Sequence, residues 1–148
     1  VIEYNCRFGD PEAQAVLPLL ESDLLEIMLA VREGRLAQAK VSFSPQHACC
    51  LILAAGGYPG PYQSGLPLSI AALPGAQIFH AGSRLDDAGN LLTAGGRVLG
   101  VTCLADSLQQ AVDACYRAAE SIDFAGKHYR RDIGRRALRL IAEREGQR

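Results

Sequence analysis

The sequence predicts an α+β fold, antiparallel strands with helices packed on them, and three observations lead there. Two apolar runs, residues 48–55 (ACCLILAA) and 97–105 (RVLGVTCLA), read as long buried strands bounded by glycine pairs. Between them lie several short strand-like runs punctuated by Gly, Pro and Asp. After them, Leu108, Ala111, Val112, Cys115, Ala118, Ala119 and Ile122 fall on one helical face, a broad core stripe.

Taken in order, the chain opens on a β-type run, residues 1–7 (VIEYNCR). Successive strand side chains alternate faces, so Glu3, Asn5 and Arg7 share one side and Ile2, Tyr4 and Cys6 are expected to pack on the other. Phe8-Gly9-Asp10-Pro11-Glu12 then starts a helix, with Asp10 as N-cap, Pro11 at the first helical position and Glu12 in the first turn. This helix covers residues 11–20, with Ala13, Val16, Leu17 and Leu20 at helical spacing, and Pro18 kinks or closes it. Ser22 or Asp23 caps a second helix, and Asp23 with Glu26 has capping-box spacing. Leu24, Ile27, Met28 and Val31 form its apolar stripe, Glu21, Glu26 and Glu33 its wet side, and Gly34 stops it. Residues 36–45 are a connector that holds a domain boundary, so the chain divides into residues 1–38 and 39–148.

In the second part, the first long strand runs into GGYPGPYQSG, a tight, ordered loop. Residues 68–71 and 76–80 are short strands, and Asp86-Asp87-Ala88-Gly89-Asn90 is the tip of a hairpin between residues 83–85 and 91–93. The second long strand leads to a helix capped by Asp106 or Ser107. FAGKHYRRDIG is a basic loop, and a last helix follows it, its final residues fraying.

Composition narrows the function classes. The chain has 148 residues, 49% apolar and 21% charged, with a net charge of −1, which gives no general attraction for nucleic acid or an anionic membrane. No apolar run approaches the roughly 20 residues of a membrane span. Cys6, Cys49, Cys50, Cys103 and Cys115 are an odd, scattered set without a C-x-x-C pair, which fits reduced, buried thiols in a cytoplasmic protein better than disulfides or zinc. There is no initiator Met and no signal-peptide pattern, so the chain is expected to be a fragment of a longer protein.

The chemistry concentrates at the two ends. Glu3 and Asn5 offer hard oxygens of the kind Mg²⁺ takes, and Arg7 a fork-shaped cation for phosphate or carboxylate. On spacing alone, the three read as the solvated face of a strand before they read as a metal site. Asp10 and Glu12 are a cap and a first-turn acid, or ligands for a substrate ammonium group. Arg130 and Arg131, just before a helix N-terminus, either hold a phosphate or belong to a solvated basic loop, with Lys127 and His128 weaker candidates. His80 reads as a hydrogen-bonded structural histidine, and Gly96-Arg97 as a buried ion pair or a substrate contact. The GGYPG loop lacks the Lys and Ser/Thr of a phosphate loop.

The string EYNCRFGDPE from Glu3 resembles the end of the ATP-grasp domain in the glycinamide ribonucleotide synthetase (phosphoribosylamine–glycine ligase) family. AAGGYPGPY, IFHAGS, TAGGRVLGVT and YRRDIGRRAL resemble its C-terminal domain in the same order, so the likeness covers nearly the whole chain, to about Leu138. It implies a terminal strand and helices of an ATP-grasp domain (residues 1–38), then a small mixed or antiparallel sheet domain flanked by helices (residues 39–148). It also implies an ATP-dependent ligase that joins glycine to 5-phosphoribosylamine through glycyl phosphate. Glu3 and Asn5 would be ligands of the Mg²⁺ or Mn²⁺ that bridges the terminal phosphates of ATP, and Arg7 would stabilise the transferred phosphoryl group. Asp10 and Glu12 would face an amine, and Arg130 and Arg131 the 5′-phosphate of the substrate. The lysines and strands that hold ATP lie upstream in the family, so this chain alone is expected to be inactive. Another ATP-grasp carboxylate–amine ligase and a non-catalytic docking domain are the alternative readings.

Overall fold

A computed structural model describes every residue except Glu3, Asn5, Leu73, Gln147 and Arg148, and all but the side chain of Glu145. The architecture is α+β, and every strand pair is antiparallel. Strands β1 (His47–Ala54) and β6 (Arg97–Ala105) pair along their length, and β3 (Ala76–His80) adds to the other edge of β6, giving the order β1-β6-β3. Two small ribbons flank this sheet. One pairs β2 (Leu68–Ile70) with β7 (Ile122–Phe124), and the other pairs β4 (Ser83–Leu85) with β5 (Leu91–Thr93).

The core lies between the β1·β6 pair and helix α3 (Leu108–Glu120). Leu51, Leu53, Val98, Leu99 and Val101 meet Ala111, Val112, Cys115 and Ala119 there, all buried. Of the two apolar runs, β6 becomes the central strand, buried on both faces, whereas β1 is an edge strand with Cys49, Leu51 and Leu53 buried and Cys50 and Ile52 half-buried. Ser107 caps α3 by accepting a hydrogen bond from the Gln110 N–H at 3.3 Å. Cys49 lies opposite Cys103 across the ladder, and the Cys115 thiol donates to the Cys49 carbonyl at 3.0 Å. Hydrogen-bond contact with the Cys103 and Cys49 thiols, and then burial, push the Cys115 thiol well above its ordinary range. All five cysteines are free.

Ahead of this core lie α1 (Ala13–Val16), a 3₁₀ turn at Leu17–Leu19 that carries Pro18, and α2 (Leu24–Arg32). Asp23 caps α2 by accepting from the Leu25 and Glu26 N–H groups, and the helix ends at Arg32, before Gly34 at φ +70°. Phe43 pairs with Leu20 in an isolated bridge, which ties the connector back to the 3₁₀ turn. Helix α4 (Arg135–Glu145) closes the chain.

Four sequence expectations change. Val1, Ile2, Tyr4 and Cys6 form no strand and are exposed rather than packed. Among the described residues, no neighbouring strand lies beside them to satisfy their backbone groups, and an unpaired strand is not stable in water. Asp10 is not the cap of the first helix: Glu12 holds the N-cap position, and the Asp10 carboxylate is drawn instead to Arg97. On α2, Met28 and Val31 are exposed, while Ala30 is the buried residue. Ile122 leaves the helical stripe to start β7, three residues too short to show a period of their own.

Candidate functional site

Two adjoining cavities of about 350 Å³ each share Ile52, Tyr58 and Arg97 on their walls, and together they form one groove across the open end of the β1·β6 pair. Asp10 and Gln14 border one half, and His128, Tyr129 and Arg130 the other. The groove therefore gathers residues from both ends of the chain and from its middle.

Arg97 stands at its centre for identifiable reasons. The β1·β6 register slips between Leu53 and Ala54, so that Leu53 faces Leu99 while Ala54 faces Arg97 and Val98 is the extra residue. A bulge of this kind re-aims a side chain at the end of a strand. The backbone beneath is fixed by Gly82, whose N–H donates to the Arg97 carbonyl at 2.7 Å. Gly82 passes so close to Gly95 that neither has room for a Cβ atom. From this base the guanidinium makes a two-pronged contact with Asp10, Nη1 to Oδ1 at 3.1 Å and Nη2 to Oδ2 at 2.8 Å. Both side chains remain partly open to solvent.

Tyr58 projects from the Gly56–Gly60 loop and lies over Gly96, where a side chain would collide with its ring. The Tyr62 ring meets it edge-on at 6.3 Å, and the Ala55 N–H donates to the Gly96 carbonyl at 2.8 Å. Glycines in this loop thus serve a close approach, as its composition suggested, along with a turn at Gly57, where φ is +96°.

The basic loop is held, not free. His128 exchanges backbone hydrogen bonds with Ala54 at 2.9 and 3.0 Å. Lys127 Nζ donates to the carbonyls of Ala119 and Ile122, where a cation suits the C-terminal end of α3. The Tyr116 hydroxyl donates to the Arg130 carbonyl at 2.9 Å and accepts from the Ile133 N–H at 3.1 Å. Arg130 pairs with Asp132 through two contacts of 2.9 and 2.7 Å. That pairing raises the Arg130 pKa and holds the Asp132 carboxyl below its usual range. Arg131 turns the other way, its guanidinium 5.3 Å from the centre of the Tyr129 ring. Arg130 lines the groove, but the two arginines do not point into it as a pair.

The remaining candidates separate. Arg7 is exposed and donates to the carbonyl of its neighbour Phe8 at 2.9 Å. Glu12 is exposed, with its side chain folded against Gly9. Glu3 and Asn5 lie outside the described residues, and among those described no group of three or more His, Cys, Asp or Glu could hold a metal ion. His80 shares a 2.8 Å hydrogen bond with Ser83 and lies away from the groove, which agrees with its structural reading. Gln14 and Tyr58 were not singled out in the sequence. The only local signal for Tyr58 was the density of glycine around it.

Fold and groove together describe a small α+β domain with a charged cleft at one end of its sheet. Residues 48–136 match the family model described as phosphoribosylglycinamide synthetase, C domain. The chain is 50% identical over 142 residues to a phosphoribosylamine–glycine ligase of Synechocystis, covering 93% of this chain and 34% of that protein. It is 43% identical over 150 residues to a trifunctional purine biosynthetic protein of Gallus gallus, covering 99% of this chain and 15% of the relative. The solved structure of a phosphoribosylamine–glycine ligase from Thermotoga maritima superposes with a TM-score of 0.72 at 33% identity, over 90% of this chain and 33% of that one. The chain belongs to the phosphoribosylglycinamide synthetase family, and it spans about a third of the length of the single-function ligases it matches.

Proposed function

We propose that this chain is the C-terminal part of a phosphoribosylamine–glycine ligase, acting in purine biosynthesis. The observation that carries this is half-identity to a ligase of that name over 93% of the chain. The reaction takes ATP, glycine and 5-phosphoribosylamine to glycinamide ribonucleotide, ADP and phosphate. A carboxylate is a poor electrophile, so the glycine oxygen first attacks the γ-phosphate of ATP to give glycyl phosphate. The amine of phosphoribosylamine then attacks the carbonyl carbon, and phosphate leaves. Positioning and charge neutralisation are the main means of accelerating such steps.

Residues 1–38 are read as the end of the ATP-grasp domain and residues 39–148 as the C-terminal domain. The exposed apolar side chains Ile2, Tyr4, Leu25, Met28 and Val31 support a first part that packs against more protein. Glu3 and Asn5 are the proposed ligands of Mg²⁺ or Mn²⁺, because a carboxylate and an amide oxygen are hard donors suited to that ion. Bound there, the cation would neutralise charge on the terminal phosphates of ATP. Arg7 would stabilise the transferred phosphoryl group, Asp10 and Glu12 would meet an amine, and Arg130 with Arg131 the 5′-phosphate. For the last of these, the pairs with Asp132 and Tyr129 must open or swing. Five free thiols support a reducing, cytoplasmic location. No helix among the described residues is long and apolar enough to cross a membrane.

An acid-and-amine panel on the full-length enzyme tests this reading. ADP formation that needs both glycine and phosphoribosylamine is expected. ADP formation driven by formate or bicarbonate in place of glycine would assign the chain to a different ATP-grasp ligase, and none with any acid would leave a docking domain.

A further inference from the structure

We infer that Cys103 is an oxidation site for small hydroperoxides, and that Cys49 closes the oxidised sulfur into a reversible cross-strand disulfide. The site lies towards the other end of the β1·β6 pair from the groove. A separate cavity of about 390 Å³ opens there between β3 and α3, with Ala76, Cys103, Ala114, Arg117 and Ala118 on its walls, and it shares no residue with the groove.

Three of the five cysteines meet behind this cavity. Cys49 and Cys103 are direct partners across the β1·β6 ladder. Cys115 reaches them from α3, its thiol donating to the Cys49 carbonyl at 3.0 Å and to the Val101 carbonyl at 3.4 Å. Residues directly opposite in an antiparallel pair stand about 4.5–5.5 Å apart at Cα, within the roughly 4.4–6.8 Å that a disulfide spans. The sheet can therefore take the bond with its register kept. Cys50 points to the other face, towards Gln14, and does not compete.

The thiols differ in the sense the chemistry needs. Burial pushes a thiol up, as it does at Cys50. Cys103 goes the other way: contact with the Cys115 thiol lowers it against the effect of burial, and the charge of Arg117 adds to the lowering. Contact with Cys115 lowers Cys49 as well. The thiolate is the nucleophile, and Cys103 is the one of the three that lines the cavity. Its thiolate attacks a peroxide oxygen; the S–O bond forms, the O–O bond breaks and hydroxide leaves, giving a sulfenic acid. The Cys49 thiolate then attacks the Cys103 sulfur; the S–S bond forms, the S–O bond breaks and a second hydroxide leaves. The two thiol protons turn the hydroxides into water, so one peroxide accepts two electrons and ends as two waters. Closing the disulfide keeps Cys103 from the irreversible sulfinic and sulfonic steps.

The test treats the reduced, folded full-length enzyme with hydrogen peroxide at a dose that oxidises added free cysteine, and maps its thiols by non-reducing peptide mass spectrometry. A Cys49–Cys103 link is expected, two hydrogens lighter than the reduced pair and reversed by dithiothreitol, while Cys115 stays closed to iodoacetamide. In Cys49→Ala, Cys103 is expected to persist as the sulfenic acid and to take up dimedone. Cys49 and Cys103 both still reduced in the wild type, or a link made to Cys115 instead, overturns the inference. So does a link that appears only as Cys115 becomes alkylated, because oxidation then follows unfolding. A folded Cys49→Ala enzyme with no dimedone on Cys103 overturns it too, and the wild-type result decides by itself if that variant fails to fold.

Discussion

The Thr102 hydroxyl donates a 2.9 Å hydrogen bond to the backbone carbonyl of Gln14, a residue 88 positions earlier in the chain. Two residues back along the same strand, Gly100 makes room for the Gln14 carboxamide, which also accepts from the Cys50 thiol at 3.6 Å. One side chain of α1 is thereby seated on the β1·β6 pair, and Asp10 comes to Arg97 as a consequence.

Thr102 is buried, so Thr102→Val keeps the volume and removes the donor. A loss of about 1–2 kcal/mol in unfolding free energy is expected, since the Gln14 carbonyl loses its partner. Urea denaturation of the 148-residue chain measures it. A variant as stable as the wild type would mean that the α1 segment is not docked as described.

Gly96 should tolerate no side chain. Gly96→Ala drives a methyl group into the Tyr58 ring, and a cost of about 1–3 kcal/mol is expected, with displaced ring resonances for Tyr58 and Tyr62. Thermal melting and aromatic NMR spectra report both effects. Unshifted rings at unchanged stability would contradict the packing.

Cysteine labelling should be strongly uneven. Cys6 is exposed, whereas Cys115 is fully buried, with its thiol pushed above the ordinary range. Only the thiolate reacts with alkylating reagents, so iodoacetamide at neutral pH is expected to modify Cys6 rapidly and Cys115 only after unfolding. Peptide mass spectrometry decides. Equal rates at the two sites would contradict the core.

The hairpin tip should respond to acid. The Asp86 carboxylate accepts from the Asn90 side chain at 2.9 Å, the Asn90 N–H at 2.7 Å and the Ala88 N–H at 3.0 Å, and the Asn90 side-chain bond leads in lowering its pKa. A lowered folded value means that the contribution is complete above the ordinary carboxylate range of about 4 and is lost as pH falls through the folded value. The Asn90 amide resonance is expected to titrate with a midpoint below that of a free aspartate. A midpoint at or above the free value would show that these hydrogen bonds are absent.

Local signals served well where the partner was close in sequence or the burial complete. Asp23 and Ser107 were legible as caps because a cap bonds groups two or three residues away, and β1 and β6 were legible as unbroken apolar runs, β6 being buried on both faces and β1 on one. Asp10 looked like a cap by the same local rule, yet its partner is 87 positions away and no spacing rule reaches that far. Lys127 and Arg130 read as parts of one basic loop, either solvated or holding a phosphate, whereas a helix end takes the first and Asp132 pairs with the second. The groove was partly visible in the glycine pairs 56–57 and 95–96, but composition could not tell which aromatic ring would close over which glycine.

The most direct measurement is ADP formation by the full-length enzyme with glycine and phosphoribosylamine, comparing wild type with Glu3→Ala plus Asn5→Ala. The account predicts that the double variant folds, still binds its substrates and loses most of its rate in the chemical step, while the 148-residue chain alone forms no ADP. A double variant that turns over like the wild type, or ligase activity from this chain by itself, would contradict it.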